Sequence, residues 1–443
     1  MADTIIAAAT PPGIGALAAL RVSGPEASRF TDALLRVPVA WRPQRTYHRE
    51  LFQGDVLLDE VILAYWKGPR SFTGEDVIEI TCHGNPFLAE RIAAAYLAQG
   101  ARRAAPGEFT QRAFLNGKID LTQAEAVADL IEAATDREIR GAQAMLGGRL
   151  GERMQGLRRE LIDLLAHLEA YIDFPDEDIA PETGAAFLAS VNRTREEVER
   201  LLATAPLGRI LRQGVVTAIV GAPNVGKSSL FNALVREDRA IVAPTAGTTR
   251  DVIETECRVG DFRLRLLDTA GQRETGDEIE AEGVRRAVQA SEQAELILHL
   301  LDGAVAPQRQ AFILPPLRDD QRLIRIAGKC DLGVAPENAT LLRLSTLTGE
   351  GLEALSCKIE ESLLGADRTA ADDPLTINGR QEAALRNARS ALERAAEALG
   401  QNLAPELTSL ALREALRGLG EVVGQTDNEE VLDALFKKFC IGK

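Results

Sequence analysis

Apolar residues in the first 118 positions come in short runs broken by Gly and Pro. Thr4–Ala9, Gly15–Val22, Asp55–Trp66 and Asp76–Cys82 read as strands, and Phe87–Gln99 carries the spacing of a helix. A small α+β domain is the expectation for residues 1–118. From Leu121 to about Leu211 the period changes to that of helices, with apolar positions at Leu121, Ala124, Val127, Ala128 and Ile131, and again at Leu157, Leu161, Leu164, Leu165 and Leu168. The stretch Asp173-Phe174-Pro175-Asp176-Glu177-Asp178 interrupts this run. Between Gly214 and about Leu364, the runs Val215–Val220, Phe262–Leu267, Leu296–Leu301, Leu323–Ala327 and Leu341–Ser345 alternate with amphipathic segments. Such alternation predicts a mainly parallel sheet covered by helices. An acidic link, Ala366–Pro374, leads into a second helical region with a stripe of Ala384, Leu385, Ala388, Leu392, Ala395, Ala396 and Leu399. The simplest organisation is an α+β domain (1–118), a helical part (119–211), an α/β domain (212–366) inserted into the bundle, and a second helical part (367–443).

At 443 residues, a prior of about three domains follows from length alone. Hydrophobic content of 45% and charged content of 26% fit a folded globular chain and exclude wholesale disorder. No window offers ~18 uninterrupted apolar residues, so no membrane span is expected. Residues 1–20 lack a basic leader and contain Pro11-Pro12-Gly13, which predicts a cytoplasmic protein rather than an exported one. Five cysteines without a CxxC pair give neither a disulfide framework nor a zinc ribbon. A formal charge of −15 opposes non-specific adhesion to nucleic acid. An RNA partner must meet a local basic patch or be held by a second protein.

Gly221-Ala222-Pro223-Asn224-Val225-Gly226-Lys227-Ser228 fits GxxxxGK[ST] between an apolar strand and a helix beginning near Ser229. Backbone N–H groups there wrap phosphate oxygens, Lys227 reaches the β and γ phosphates, and Ser228 ligates Mg2+. Asp268-Thr269-Ala270-Gly271 ends the run Phe262–Leu267, where a carboxylate holds the Mg2+ shell and a glycine amide senses the γ-phosphate. Between the two lies Ala246-Gly247-Thr248-Thr249-Arg250-Asp251, in which Thr249 is the natural second hydroxyl for Mg2+. This order describes a GTPase of the switch type. Lys329 and Asp331, in Gly328-Lys329-Cys330-Asp331, are the base-reading residues, since a carboxylate there accepts both N–H groups of a guanine edge. Gly328 stands where related GTPases carry Asn, and Ser345-Thr346-Leu347 where they carry a Ser-Ala-Lys loop.

The whole chain also resembles the MnmE (TrmE) family of tRNA-modification GTPases. The resemblance rests on Thr10-Pro11-Pro12-Gly13, Arg21-Val22-Ser23-Gly24, Phe72-Thr73-Gly74-Glu75-Asp76, Pro106-Gly107-Glu108-Phe109-Thr110, Arg112–Lys118, Asp120–Ala126, Ile172-Asp173-Phe174-Pro175 and Phe439-Cys440-Ile441-Gly442-Lys443. It implies a Ras-like P-loop domain inserted in a discontinuous helical bundle, and an N-terminal domain that dimerises and binds 5,10-methylenetetrahydrofolate or 5-formyltetrahydrofolate. It implies a folate site on Arg21, Glu79, Lys118 and the terminal Lys443. For nucleotide it implies Asn224, Val225, Gly226, Lys227, Ser228, Ser229, Thr245, Gly247, Thr248, Thr249, Asp268, Thr269, Ala270, Gly271, Lys329 and Asp331. A potassium ion would sit among Asn224, Ala243, Thr245 and Thr248. Glu280 would orient the attacking water, and Cys440 would lie near the folate and the incoming uridine. The implied partners are a second copy of the chain, tRNA, and an FAD-containing MnmG-type protein in a heterotetramer or larger complex. Together they would add a (carboxymethyl)aminomethyl group at carbon 5 of the wobble uridine.

Blander readings stand beside these. Glu280 lies in an acidic run, Gly276-Asp277-Glu278-Ile279-Glu280, of the sort that usually forms a solvated face. Cys440 can be a buried structural thiol, and Cys440–Lys443 does not fit a prenylation signal. Glu79, in the alternating Val77-Ile78-Glu79-Ile80, can be an ordinary strand carboxylate. Gln272, directly after Gly271, is a rival water-orienting residue of Ras-like type. Two other functions compete with RNA modification. One is a ribosome-assembly GTPase without covalent chemistry, which would need an RNA-binding module that the sequence lacks. The other is a folate scaffold with a dead GTPase, opposed by the intact Lys227, Ser228, Thr249 and Asp268.

Overall fold

The computed structural model describes residues 3–173, 184–237, 254–267, 285, 287–306, 314–335, 338, 340–364, 374–425, 432, 435–437, 439 and 442. Within these, the chain forms two compact units: Met1–Ala128 with Met145–Asp163 and Leu416–Lys443, and Asp129–Ala144 with Leu164–Ala415.

The first unit holds strands β1 (Ile5–Ala8), β2 (Leu17–Ser23), β3 (Arg45–Gln53), β4 (Val56–Trp66), β5 (Val77–His83) and β6 (Arg102–Arg103), in the order β3-β4-β5-β2-β1-β6. Side chains on a strand alternate between faces, and that period of two sorts this sheet. Ile6, Leu20, Val22, Leu63, Ile78 and Ile80 join Ile92 and Tyr96 of helix α2 (Pro86–Ala98) in one core. Ile5 and Ala7 join Phe109 and Ala104 in another. Arg21 and Glu79 occupy the positions between core residues on β2 and β5, so both lie on the side away from Leu20, Val22, Ile78 and Ile80. The helix α2 begins where Asn85 accepts hydrogen bonds from the N–H groups of Phe87 and Leu88, with Pro86 at its first position.

Strand β3 was not expected from the hydrophobic pattern. Its sequence, Arg-Thr-Tyr-His-Arg-Glu-Leu-Phe-Gln, is exposed except at Leu51 and Phe52 and at the half-buried Tyr47, because it lies at the sheet edge with most of its length in water. Pairing with β4 through Gly54 defines it instead.

The second unit carries the other sheet, in the order β12-β11-β10-β7-β9-β8, from β7 (Val215–Val220), β8 (Glu254–Val259), β9 (Phe262–Leu267), β10 (Leu296–Asp302), β11 (Arg322–Gly328) and β12 (Leu342–Arg343). Pairs β7/β9, β7/β10, β10/β11 and β11/β12 are parallel. The expected parallel sheet is therefore present, with one antiparallel edge strand, β8, joined to β9 by a turn at Gly260. That strand is Glu-Thr-Glu-Cys-Arg-Val, and its polar alternation hid it from a search for apolar runs. The helical texture resolves into α4 (Leu121–Glu132), α5 (Asp136–Leu146), α6 (Arg149–Asp173), α7 (Gly184–Ala203) and α8 (Ala205–Gln213). After the sheet come α10 (Leu352–Leu364), α11 (Gly379–Gly400) and α12 (Pro405–Val423). The predicted stripe on α11 is buried at Ala384, Leu385, Ala388, Leu392 and Ala395, and α11 runs against α7.

Candidate functional site

Three loops leave the carboxyl ends of the parallel strands β7, β11 and β12, the usual place for a ligand in an open α/β sheet. The first joins β7 to α9 (Lys227–Glu237). At Gly221 an added Cβ would stand 2.1 Å from the Leu300 carbonyl oxygen, so only glycine lets the loop pass β10. Asn224 adopts a left-handed φ of 62° and Gly226 one of 105°, which curl the backbone ahead of the helix. Val225 is buried beneath the loop, while Asn224, Ser228 and Ser229 are exposed. The Lys227 ammonium donates to the carbonyls of Gly221 and Ala222 at 3.0 and 2.8 Å, closing the cradle on itself. Burial lowers its pKa. An amine short of solvation and held, among the described residues, by these two carbonyls is ready to exchange them for phosphate oxygens.

The second loop follows β11. Lys329 takes a left-handed φ of 55°, and its ammonium pairs with Asp302 Oδ2, at the end of β10, at 2.9 Å. Asp331 is exposed in a single 3-10 turn, Cys330–Leu332. Gly328 lies against the phosphate loop: a Cβ there would be 3.4 Å from the Val225 carbonyl and 3.0 Å from Leu300 Cδ1. The tie that sequence reasoning missed is Asn338. It is fully buried, and its amide donates to the carbonyls of Gly303 and Val305 at 3.0 and 2.9 Å, bracing the end of β10 beside Asp302. The third loop, after β12, has Ser345 buried and Leu347 exposed, with Ser345 Oγ accepting from the Thr348 N–H.

Ala243, Thr245, Gly247, Thr248, Thr249, Asp268, Thr269, Ala270, Gly271, Gln272, Glu280, Cys440 and Lys443 lie outside the described residues.

In the first unit, Arg21 and Glu79 face each other in strand register. The Nε and Nη2 of Arg21 both donate to Glu79 Oε1, at 3.0 and 2.8 Å. The Arg21 guanidinium carbon also lies 5.8 Å from the Phe72 ring centre and 5.7 Å from that of Phe109. Lys118 is joined to the same place through the loop 67–76. Its ammonium donates to the Pro69 carbonyl at 2.8 Å, and its stem packs beside Gly74, whose φ of 79° favours glycine. Gly442 approaches the end of β1 so closely that a Cβ would meet the Ala8 carbonyl oxygen at 2.1 Å.

A charge cluster, buried at Glu108 and Arg112 and open to water at Asp3 and Arg102, holds this loop, and no sequence pattern announced it. Arg112 donates to Asp3 Oδ1 (2.6 Å), Glu75 Oε2 (3.0 Å) and Glu108 Oε1 (2.9 Å). Arg102 shares Glu108 and Asp3. Thr73 and Glu75 also bond the Ser23 hydroxyl, each at 2.7 Å. Burial works to raise the Glu108 pKa, but hydrogen bonds from Arg102, the Ala105 N–H and Arg112 outweigh it and hold the group below its usual value. The Asp3 carboxyl is lowered to about 2, chiefly by Arg102. Among the described residues, no cluster of three or more His, Cys, Asp and Glu is arranged to hold a metal, and no helix is long and apolar enough to cross a membrane.

Comparison with known proteins covers both units. Residues 4–118 match the family described as GTP-binding protein TrmE N-terminus, and residues 121–440 match the MnmE helical domain. The tRNA modification GTPase MnmE of Opitutus terrae is 43% identical over 449 residues, spanning 100% of this chain and 99% of that one. The MnmE proteins of Akkermansia muciniphila and Aquifex aeolicus are 42% and 40% identical, over 99% and 100% of this chain and 99% and 100% of theirs. With end-to-end similarity at that level, and two family matches that together span nearly the whole sequence, the chain belongs to the MnmE family of tRNA modification GTPases.

Proposed function

We propose that this protein is the GTP-hydrolysing component of a complex that adds a (carboxymethyl)aminomethyl group to carbon 5 of the wobble uridine in certain tRNAs. The observation that carries the reading is the end-to-end similarity to tRNA modification GTPases, combined with a phosphate loop after β7 and a base loop after β11, the two strands that flank β10. In this reading residues 212–366 form a P-loop domain inserted between helical parts 119–211 and 367–443, after an N-terminal domain of residues 1–118.

The amides from Asn224 to Ser229 and the Lys227 ammonium hold the GTP phosphates, with Thr245, Gly247, Thr248, Thr249 and Asp268–Gly271 completing the site. Lys329 and Asp331 read guanine. The residues present suit Mg2+, because Ser228 exposes a hydroxyl at the start of α9 and Thr249 and Asp268 are hard oxygen donors. Bound there, Mg2+ neutralises charge on the β and γ oxygens. K+ suits the Asn224 amide oxygen with Ala243, Thr245 and Thr248. Glu280 orients the attacking water.

Tetrahydrofolate as one-carbon donor fits Arg21 and Glu79, paired in strand register, together with Lys118, which bonds the Pro69 carbonyl in the loop that carries Phe72. Lys443 and Cys440 would complete it. The protein works in the cytoplasm as a homodimer with an FAD-containing MnmG-type protein and tRNA. Mass spectrometry of tRNA nucleosides from cells lacking the protein tests this. Loss of the modified wobble uridine is expected, and unchanged wobble uridines would leave the ribosome-assembly reading in its place.

A further inference from the structure

The loop after β11 puts a cation and the carboxylate meant for the base two residues apart. Lys329 and Asp331 share one turn, closed by the Leu332 N–H donating to the Lys329 carbonyl at 3.0 Å. A lysine stem is long and flexible enough to bring its ammonium onto a carboxylate at that spacing, and the opposite charges attract. Such a pair would occupy the Asp331 oxygens before any base arrived. The structure shows a different pairing. The Lys329 ammonium donates to Asp302 Oδ2 at 2.9 Å, while the exposed Asp331 makes no hydrogen bond or ion pair with a described residue.

Asp302 is fixed from several sides. It faces Gly328 in the parallel register of β10 and β11, and the Gly303 N–H donates to the Gly328 carbonyl at 2.8 Å. Asp302 Oδ1 accepts from the Ala304 N–H at 3.1 Å, and the buried Asn338 amide holds the carbonyls of Gly303 and Val305 just beyond it. A carboxylate braced in this way on the ends of two strands keeps its place. Lys329 has a left-handed φ of 55°, a conformation that a residue with a side chain adopts at a cost. In that conformation its ammonium meets Asp302 rather than Asp331.

We propose that Asp302 is a positioning, specificity-determining residue: by holding the Lys329 ammonium it keeps the Asp331 carboxylate open for the N–H edge of guanine. The inference rests on Asp331 as the base-reading group and deepens that reading. Asp302 acts through Lys329, which otherwise competes with the base for Asp331. Gly328 adds no side-chain donor or acceptor to the loop, so discrimination rests the more on that carboxylate.

Displacement of N-methylanthraniloyl-GDP from the full-length protein by GDP and by IDP tests this, because inosine lacks the 2-amino group and offers Asp331 one donor group fewer. Wild type is expected to favour GDP by about ten- to a hundredfold, the worth of one charge-assisted hydrogen bond. Asp302→Asn keeps an acceptor for the Ala304 N–H but loses the charge that holds Lys329, and its preference is expected to fall to about threefold or less. Lys329→Met removes the competitor. Combined with Asp302→Asn, it is expected to return the GDP-to-IDP ratio to that of Lys329→Met alone, even with both nucleotides bound more weakly. A wild-type ratio in Asp302→Asn would overturn the role of Asp302 and leave the base reading intact. A double variant as unselective as Asp302→Asn would make Asp302 a mere brace of the loop, and would also overturn the proposal. Wild type without preference for GDP would remove Asp331 as the base reader, and the proposal with it.

Discussion

Replacing Arg112 with Met tests whether the charge cluster holds the N-terminal unit together. The Arg112 side chain is 11% exposed, against 16% for Glu75 and 10% for Glu108. Its removal leaves Glu75 with the Ser23 hydroxyl, and Glu108 with Arg102 and the Ala105 N–H. Summing charge-assisted hydrogen bonds at ~1.5–3 kcal/mol each would exceed any credible effect, since these bonds share partners and do not add. Breaking one member out of a buried ion cluster costs about 3–5 kcal/mol, because the carboxylates left behind keep their desolvation penalty. Met fills similar volume, so the loss is electrostatic rather than a cavity. Both tryptophans of the chain, Trp41 and Trp66, lie in this unit, so tryptophan fluorescence in urea reports its unfolding selectively. With m of ~1–3 kcal/mol/M, the midpoint should fall by at least about 1 M. Acid supplies a second signature. Glu108 is held below its usual 4.5, so its contribution is complete above pH 4.5 and is lost as the pH falls through its lowered value. In the variant the share of that contribution supplied by Arg112 is already gone, while Arg102 and the Ala105 N–H remain, and the gap between the two proteins should narrow on acidification. A midpoint within about 0.3 M of wild type, at unchanged m, would refute the argument.

Asp331→Asn should turn base preference from GTP towards XTP, since the carboxylate accepts charge-assisted bonds each worth roughly 1.5–3 kcal/mol; competition binding that still favours GTP would show that another group reads the base. Between Glu280 and Gln272, Glu280→Ala is expected to slow hydrolysis by ~10²-fold or more, about 2.7 kcal/mol, with nucleotide binding nearly unchanged. If Gln272→Ala proves to be the slow variant, the chemistry is Ras-like instead. Hydrolysis should also be faster in potassium chloride than in sodium chloride at matched ionic strength, and equal rates would remove the potassium site.

How legible the fold was depended on how each element meets water. Val215–Val220, buried on both faces, is an apolar run and was found with its observed bounds; Phe262–Leu267, which alternates with the half-buried Arg263 and Arg265, still carries four apolar residues and was found likewise. The edge strands β3 and β8 were not, since one face or both stay wet and hydrophobicity carries little of their signal. Helix α1 (Ala27–Asp32) has six residues, too few for a 3.6-residue period to show.

The two sites were legible for different reasons. A phosphate loop is local: one short segment supplies the turn, the amides, the lysine and the hydroxyl, and Gly221 is dictated by a single neighbour, the Leu300 carbonyl. The N-terminal patch is assembled from β2, the loop 67–76, β5 and the segment after Glu108, so no spacing could reveal it and resemblance had to supply Arg21, Glu79 and Lys118. Even resemblance could not show that Arg21 spends two donors on one oxygen of Glu79, the other oxygen having no hydrogen bond among the described residues. Asp3, Glu75, Glu108, Arg102 and Arg112, scattered over 110 positions, became one cluster only on folding. Their distribution explains why Phe72-Thr73-Gly74-Glu75-Asp76 and Pro106-Gly107-Glu108-Phe109-Thr110 have such defined chemistry. Glu75 and Glu108 meet on the same guanidinium, and that meeting places one exposed ring beside Arg21 and one buried ring beneath the same network.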